Sequence, residues 1–104
     1  MKMYIIVKDS IPDKLVPVIT AHAALACYKK FEEHENMIKW INETFKKVVC
    51  IVNEIEFDQF KSELDFVVLT ESSLESKEVS LAFCPRAEFQ KKFKFLKMWT
   101  PQNI

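Results

Sequence analysis

Glycine is absent from all 104 residues, and that omission constrains the fold more than anything the chain contains. Ordinary chains carry about 7% glycine, placed where the backbone needs a positive φ or where another group must come close. Every turn here has to be built from Asp, Asn, Ser or Pro, and left-handed positions are expected to fall on Asn or Asp. Phosphate-cradling loops of the Walker and dinucleotide-binding kinds need glycine at fixed places. Nucleotide-cofactor enzymes of those types are therefore excluded.

A chain of this length holds one core, so a single domain is expected over residues 1–104. Apolar residues make up 49% and charged residues 29%, which points to a globular protein rather than a disordered one. No apolar run approaches the roughly 20 residues of a membrane helix, and the amino terminus lacks a signal-peptide pattern. The expected compartment is the cytoplasm, with no membrane partner. Cys27, Cys50 and Cys84 are an odd set in separate elements, read as reduced, buried thiols. No His/Cys/carboxylate spacing suggests a metal, and no cofactor is expected.

Met3–Val7 reads as a buried strand: five apolar residues, rich in β-branched and aromatic types. A turn over Asp9–Asp13 follows, with Asp13 a candidate N-cap and Pro17 inside the first turn of a helix that runs to Lys30. Val18, Ala21, Ala24, Leu25 and Tyr28 are its expected core stripe. A shorter helix spans Met37–Phe45, with Met37, Trp40 and Ile41 inward. Val48–Val52 is a second strand. Glu54–Leu64 is an amphipathic helix with Ile55, Phe57, Phe60 and Leu64 on its apolar side. Phe66–Leu69 and Val79–Phe83 are strands that pair as a hairpin, and Arg86–Met98 is a closing helix with Phe89, Phe93 and Leu96 inward. The expected fold is a single-domain, three-layer α/β fold with a four-stranded mixed sheet flanked by helices, in the order β-α-α-β-α-β-β-α. Phe95 and Trp99 are left over; a homodimer contact is one candidate use of them, and an irregular tail folding back to cover them is the other.

Net charge is zero but unevenly spread. Glu54 to Glu78 carries eight acids against two lysines, a local charge of −6. Arg86 to Lys97 carries five basic residues against Glu88, a local charge of +4. Lys91 and Lys94 are therefore candidates for a phosphate-binding patch, beside the plainer reading of a solvated lysine face. A chain with no net positive charge gains little non-specific attraction to nucleic acid.

The order of these motifs resembles the type 2 peptidyl-tRNA hydrolase family over nearly the whole chain. The matching features are the strand Tyr4–Val7, then Asp9, Lys14 and the helical step His22-Ala23-Ala24. Trp40 ahead of Lys47-Val48-Val49 and the late run Leu81-Ala82-Phe83-Cys84-Pro85 complete the likeness. The family's Gln position falls on Ile19, its Asp-Ala-Gly turn on Glu71-Ser72-Ser73, and its threonine on Val79, with Ser80 the nearest hydroxyl.

The resemblance implies hydrolysis of the ester joining a peptidyl group to the tRNA 3′ ribose, with peptidyl-tRNA as partner. Lys14 would steady the oxyanion or a phosphate, and Glu71 would orient the lysine or the attacking water. Asp9, His22 and Ser80 would line the cleft. Read from the residues themselves, Asp9 bonds its own turn or caps the loop, and His22, inside a helix of small residues, is buried or half-buried and bonded to a nearby loop. Two readings stay open. One is an esterase acting on peptidyl-tRNA; the other is a non-catalytic member of the same fold, holding a small ligand or a protein in the cleft around Asp9, Lys14, His22 and Glu71.

Overall fold

Side-chain alternation along the first strand sets the layering. In the computed structural model, which describes residues 1–102, β1 (Lys2–Lys8) is the middle strand of a mixed five-stranded sheet. Met3 and Ile5 point into one apolar cluster, Tyr4 and Ile6 into another on the opposite face. This is the period of two that a pleated strand imposes. Both faces are covered, so the strand is apolar throughout its middle, as parallel-sheet strands are.

α1 (Val16–Phe31) and α2 (Glu35–Asn42) make the crossover to β2 (Lys46–Val52), which lies parallel to β1. They cover one face with Ala23, Cys27, Met37 and Trp40. α3 (Glu54–Phe60) covers the other face with Phe57 and Phe60. β3 (Phe66–Glu71) and β4 (Lys77–Phe83) form the expected hairpin, and β4 returns antiparallel to β1. The chain closes with α4 (Lys91–Lys94) and β5 (Lys97–Met98). Sheet order is β3-β4-β1-β2-β5. No helix among the described residues is long and apolar enough to cross a membrane.

The mixed three-layer α/β class stands, but the sheet has five strands rather than four. The expected closing helix over Arg86–Met98 is replaced by one short helical segment and an added strand. Met98 pairs with Cys50, Lys97 with Ile51, and the Trp99 N–H donates to the Val49 carbonyl at 2.9 Å. Extending the chain here satisfies the open edge of β2, which a helix would have left unpaired. Phe89 and Phe93 are still buried. Trp99 is drawn into a cluster with Val7, Ile19 and Val79, so only Phe95 remains as exposed aromatic surface at this end.

α1 buries Val16, Ile19, Ala23 and Cys27, while Val18 and Leu25 are 51% and 61% exposed. The core face is thus rotated from the expected stripe. A helix apolar nearly all round does not mark one face by periodicity, and packing against β1 and β4 decides instead. α3 stops at Phe60, where Lys61, Ser62 and Glu63 switch to i→i−3 bonds before the left-handed Asp65. Ile55 and Leu64 are consequently exposed. Asp13 is not an N-cap: it lies in a single 3-10 turn, and its carboxylate accepts from the Gln102 N–H at 2.6 Å.

Positive φ falls on Phe45, Asp65, Glu75 and Ser76, of which Asp65 alone is of the expected type. The β3–β4 turn forces the pair Glu75-Ser76, closed by the Ser76 N–H to the Glu71 carbonyl at 2.9 Å. Phe45 closes α2 by donating to the Trp40 carbonyl at 2.8 Å, and its ring rests on Trp40 at 5.1 Å. Tertiary pairing overrides the preference of the residue itself.

Candidate functional site

β1 and β2 end at the same edge of the sheet, where the Asp9 N–H donates to the Val52 carbonyl at 2.8 Å. β3 runs in the same direction as β1, because each is antiparallel to β4. Its end at Glu71 therefore comes to that edge too. Ile11 and Leu15 from the first loop pack in one cluster with Leu69 and Leu74 from the end of β3 and the turn after it. Ligands of open α/β sheets sit outside the carboxyl ends of parallel strands, and a crevice of about 670 Å³ opens here. Ser10 and Ile11 form one wall, Ser73, Leu74 and Glu75 another, with Lys8, Glu54, Lys77 and Glu78 completing it.

Ion pairs organise this crevice. The Lys8 side chain is only 11% exposed; its Nζ lies 3.0 Å from Glu54 Oε1 and 4.5 Å above the Phe57 ring. Lys61 is bonded to Glu78 and lies 3.4 Å from Asp58 Oδ1. The hydrogen bond to Glu78 holds the Lys61 ammonium above the usual lysine range, with the Glu78 and Asp58 charges adding to the effect against desolvation. Lys61 therefore stays protonated at neutral pH and acts as a cation, not a base. Glu71 accepts from both the Ser73 N–H at 3.2 Å and Ser73 Oγ at 3.0 Å, so its carboxylate caps the turn.

The sequence-derived residues scatter. Asp9 and Glu71 lie at the same strand-end edge of the sheet, next to the wall residues Ser10 and Ser73, but neither lines the crevice. Lys14 is exposed in the 3-10 turn and does not line the crevice. His22 is exposed on α1, not buried against a loop, because the rotated helix turns Ala23 inward instead. Ser80 is fully buried, and its hydroxyl donates to the Ile6 carbonyl at 2.8 Å, cross-linking two strands below the crevice. Lys94 lies at the other end of the sheet, beside Lys2 and Lys46, and Lys91 is exposed on α4. Among the described residues no three His, Cys, Asp or Glu side chains form a metal-holding group.

Lys8, Glu54, Lys61 and Glu78 were missed from sequence. One signal was present: Lys8 continues the Tyr4/Ile6 face of β1, so its stem must run along the covering layer where Phe57 sits. No family model matches the chain, and no curated protein matches it.

Proposed function

We propose that this chain is a divergent protein of the type 2 peptidyl-tRNA hydrolase-like fold that holds a small polar ligand in the strand-end crevice without hydrolysing it. The observation that carries this reading is the pairing inside the crevice. Lys8 in the crevice wall is paired with Glu54, the wall residue Glu78 is paired with Lys61, and Glu71 is occupied by Ser73. A hydrolytic site needs an oxyanion donor and a poised base. Here the cation assigned by the resemblance, Lys14, stands outside the wall, and the candidate base, Glu71, is already taken up in capping its own turn through the Ser73 N–H and Oγ. Three carboxylates line the crevice against two lysines, which suits a ligand bearing an ammonium group and repels tRNA phosphates. On this reading the protein works in the cytoplasm and needs no cofactor, and neither a second copy nor peptidyl-tRNA is required.

The test is a thermal-shift screen of amino acids, dipeptides and aminoacyl esters alongside an N-acetyl-aminoacyl-tRNA cleavage assay. A ligand at 100 times its Kd adds about 2.7 kcal/mol of stability, so a shift of several degrees is expected. That shift should be lost in Glu78→Gln, with no tRNA released. Turnover that Glu71→Gln removes would overturn the reading in favour of the esterase.

A further inference from the structure

At the amino ends of β1 and β2, about 20 Å along the strands from the crevice, the sheet carries an unusual set of neighbours. Lys2 of β1 is paired directly with Lys46 of β2, and on its other side Lys2 bridges to Arg86. Residues paired across strands project from the same face and sit about 5 Å apart, and like charges placed so repel one another. Three cations therefore stand side by side at one end of the sheet. They lie on the face of Tyr4 and Val48, since alternation puts Lys2 with Tyr4 and Lys46 with Val48.

These residues border a recess of about 420 Å³. Lys94 reaches it from α4, and Tyr4 and Phe89 form its apolar floor. Among the described residues Glu88 is the one carboxylate in its wall, and it lies 3.9 Å from Lys94. Neither Lys2 nor Lys46 has a carboxylate partner among the described residues. The Lys2 ammonium lies 5.3 Å from the centre of the Tyr4 ring. The Arg86 guanidinium is fixed, stacked 4.6 Å from the Phe89 ring centre while Nη2 donates to the Leu64 carbonyl at 2.8 Å. A planar donor anchored beside two flexible ammonium groups suits an anion with several oxygens.

We infer that this recess is a binding site for closely spaced phosphates, as in a pyrophosphate group or a short stretch of nucleic-acid backbone, held by Lys2, Lys46 and Arg86 with Lys94 at the rim. Bound anion offsets the repulsion along Lys46–Lys2–Arg86, none of which forms an ion pair with a carboxylate among the described residues. The inference is independent of the crevice at the opposite edge.

Calorimetric titration with inorganic pyrophosphate, ATP and a tRNA transcript tests it, using the intact chain at low salt. Single-site binding is expected, weakening as salt rises and falling at least tenfold in Lys2→Ala/Lys46→Ala. Lys46→Gln alone, at an exposed position, should give a smaller loss and serves if the double variant folds poorly. Lys91→Ala/Lys97→Ala changes the net charge equally outside the recess and should stay within twofold of the parent. Loss of pyrophosphate or ATP binding in the recess variants assigns small phosphates. Loss of transcript binding alone assigns a nucleic-acid backbone. The proposal is overturned if none of the three binds the parent chain, if the recess variants bind unchanged, or if the control pair loses as much.

Discussion

Glu75 and Ser76 hold consecutive left-handed conformations at φ 58° and 57°, each at a cost of roughly 1–2 kcal/mol for a residue with a β-carbon. Glycine would carry no such cost, although it adds entropy to the unfolded chain. Ser76→Gly is expected to raise stability by about 0.5–1 kcal/mol, read as a higher urea midpoint with an unchanged m-value. A lower midpoint would mean that the turn holds Ser76 without strain. At this scale the sequence was only partly legible. The missing glycines announced that side-chain-bearing residues would have to turn the chain. Which ones did so depended on the β3–β4 register and on Phe45 folding back over Trp40, both non-local. Lys8 escaped for the same reason, since its partner Glu54 is 46 residues away.

Strands were the most legible elements, because β1, β2, β3 and β4 each carry an apolar run that only a covered sheet can bury. Helix faces were less so, and α1 shows why: with apolar residues on every side, the sheet beneath it selects the face. The segment after Pro85 was misread because Phe89 and Phe93 recur at helical spacing. Their burial is met by a loop and one short helix, while Lys97–Met98 extends to pair with β2. Removing the chain from Lys97 onward takes away that pairing and the Trp99 contacts. The expected result is loss of several kcal/mol of stability together with concentration-dependent association through the bared β2 edge. Light scattering and urea unfolding at two protein concentrations check it. A truncated protein that stays monomeric and equally stable would show that β5 protects nothing.

Across the whole molecule, three thiols are buried in the layers against the sheet. Burial pushes Cys27 up to about 12, and Cys50 and Cys84 up to about 11, from an ordinary 9.0. Nearby Cys84 adds to the effect at Cys27, Asp65 adds to it at Cys84, and Lys2 opposes it at Cys50. The unfolded chain thus releases these protons at lower pH than the folded one, so stability is complete below about pH 9 and falls as pH rises toward 11–12. Each unit of displacement corresponds to about 1.4 kcal/mol. Urea midpoints at pH 8, 10 and 11 should decline in that order, and less steeply in Cys27→Ala. A flat profile would mean the thiols are less enclosed than the layering implies.

The pairing of Met98 with Cys50 has a consequence for the newborn polypeptide. β2 is complete once residue 52 has been made, yet the strand that seals its outer side comes more than forty residues later. Throughout that interval a growing chain on the ribosome offers a naked hydrogen-bonding border to its neighbours. The stage of biosynthesis most exposed to misassociation should therefore be the late one, just before residue 98 emerges.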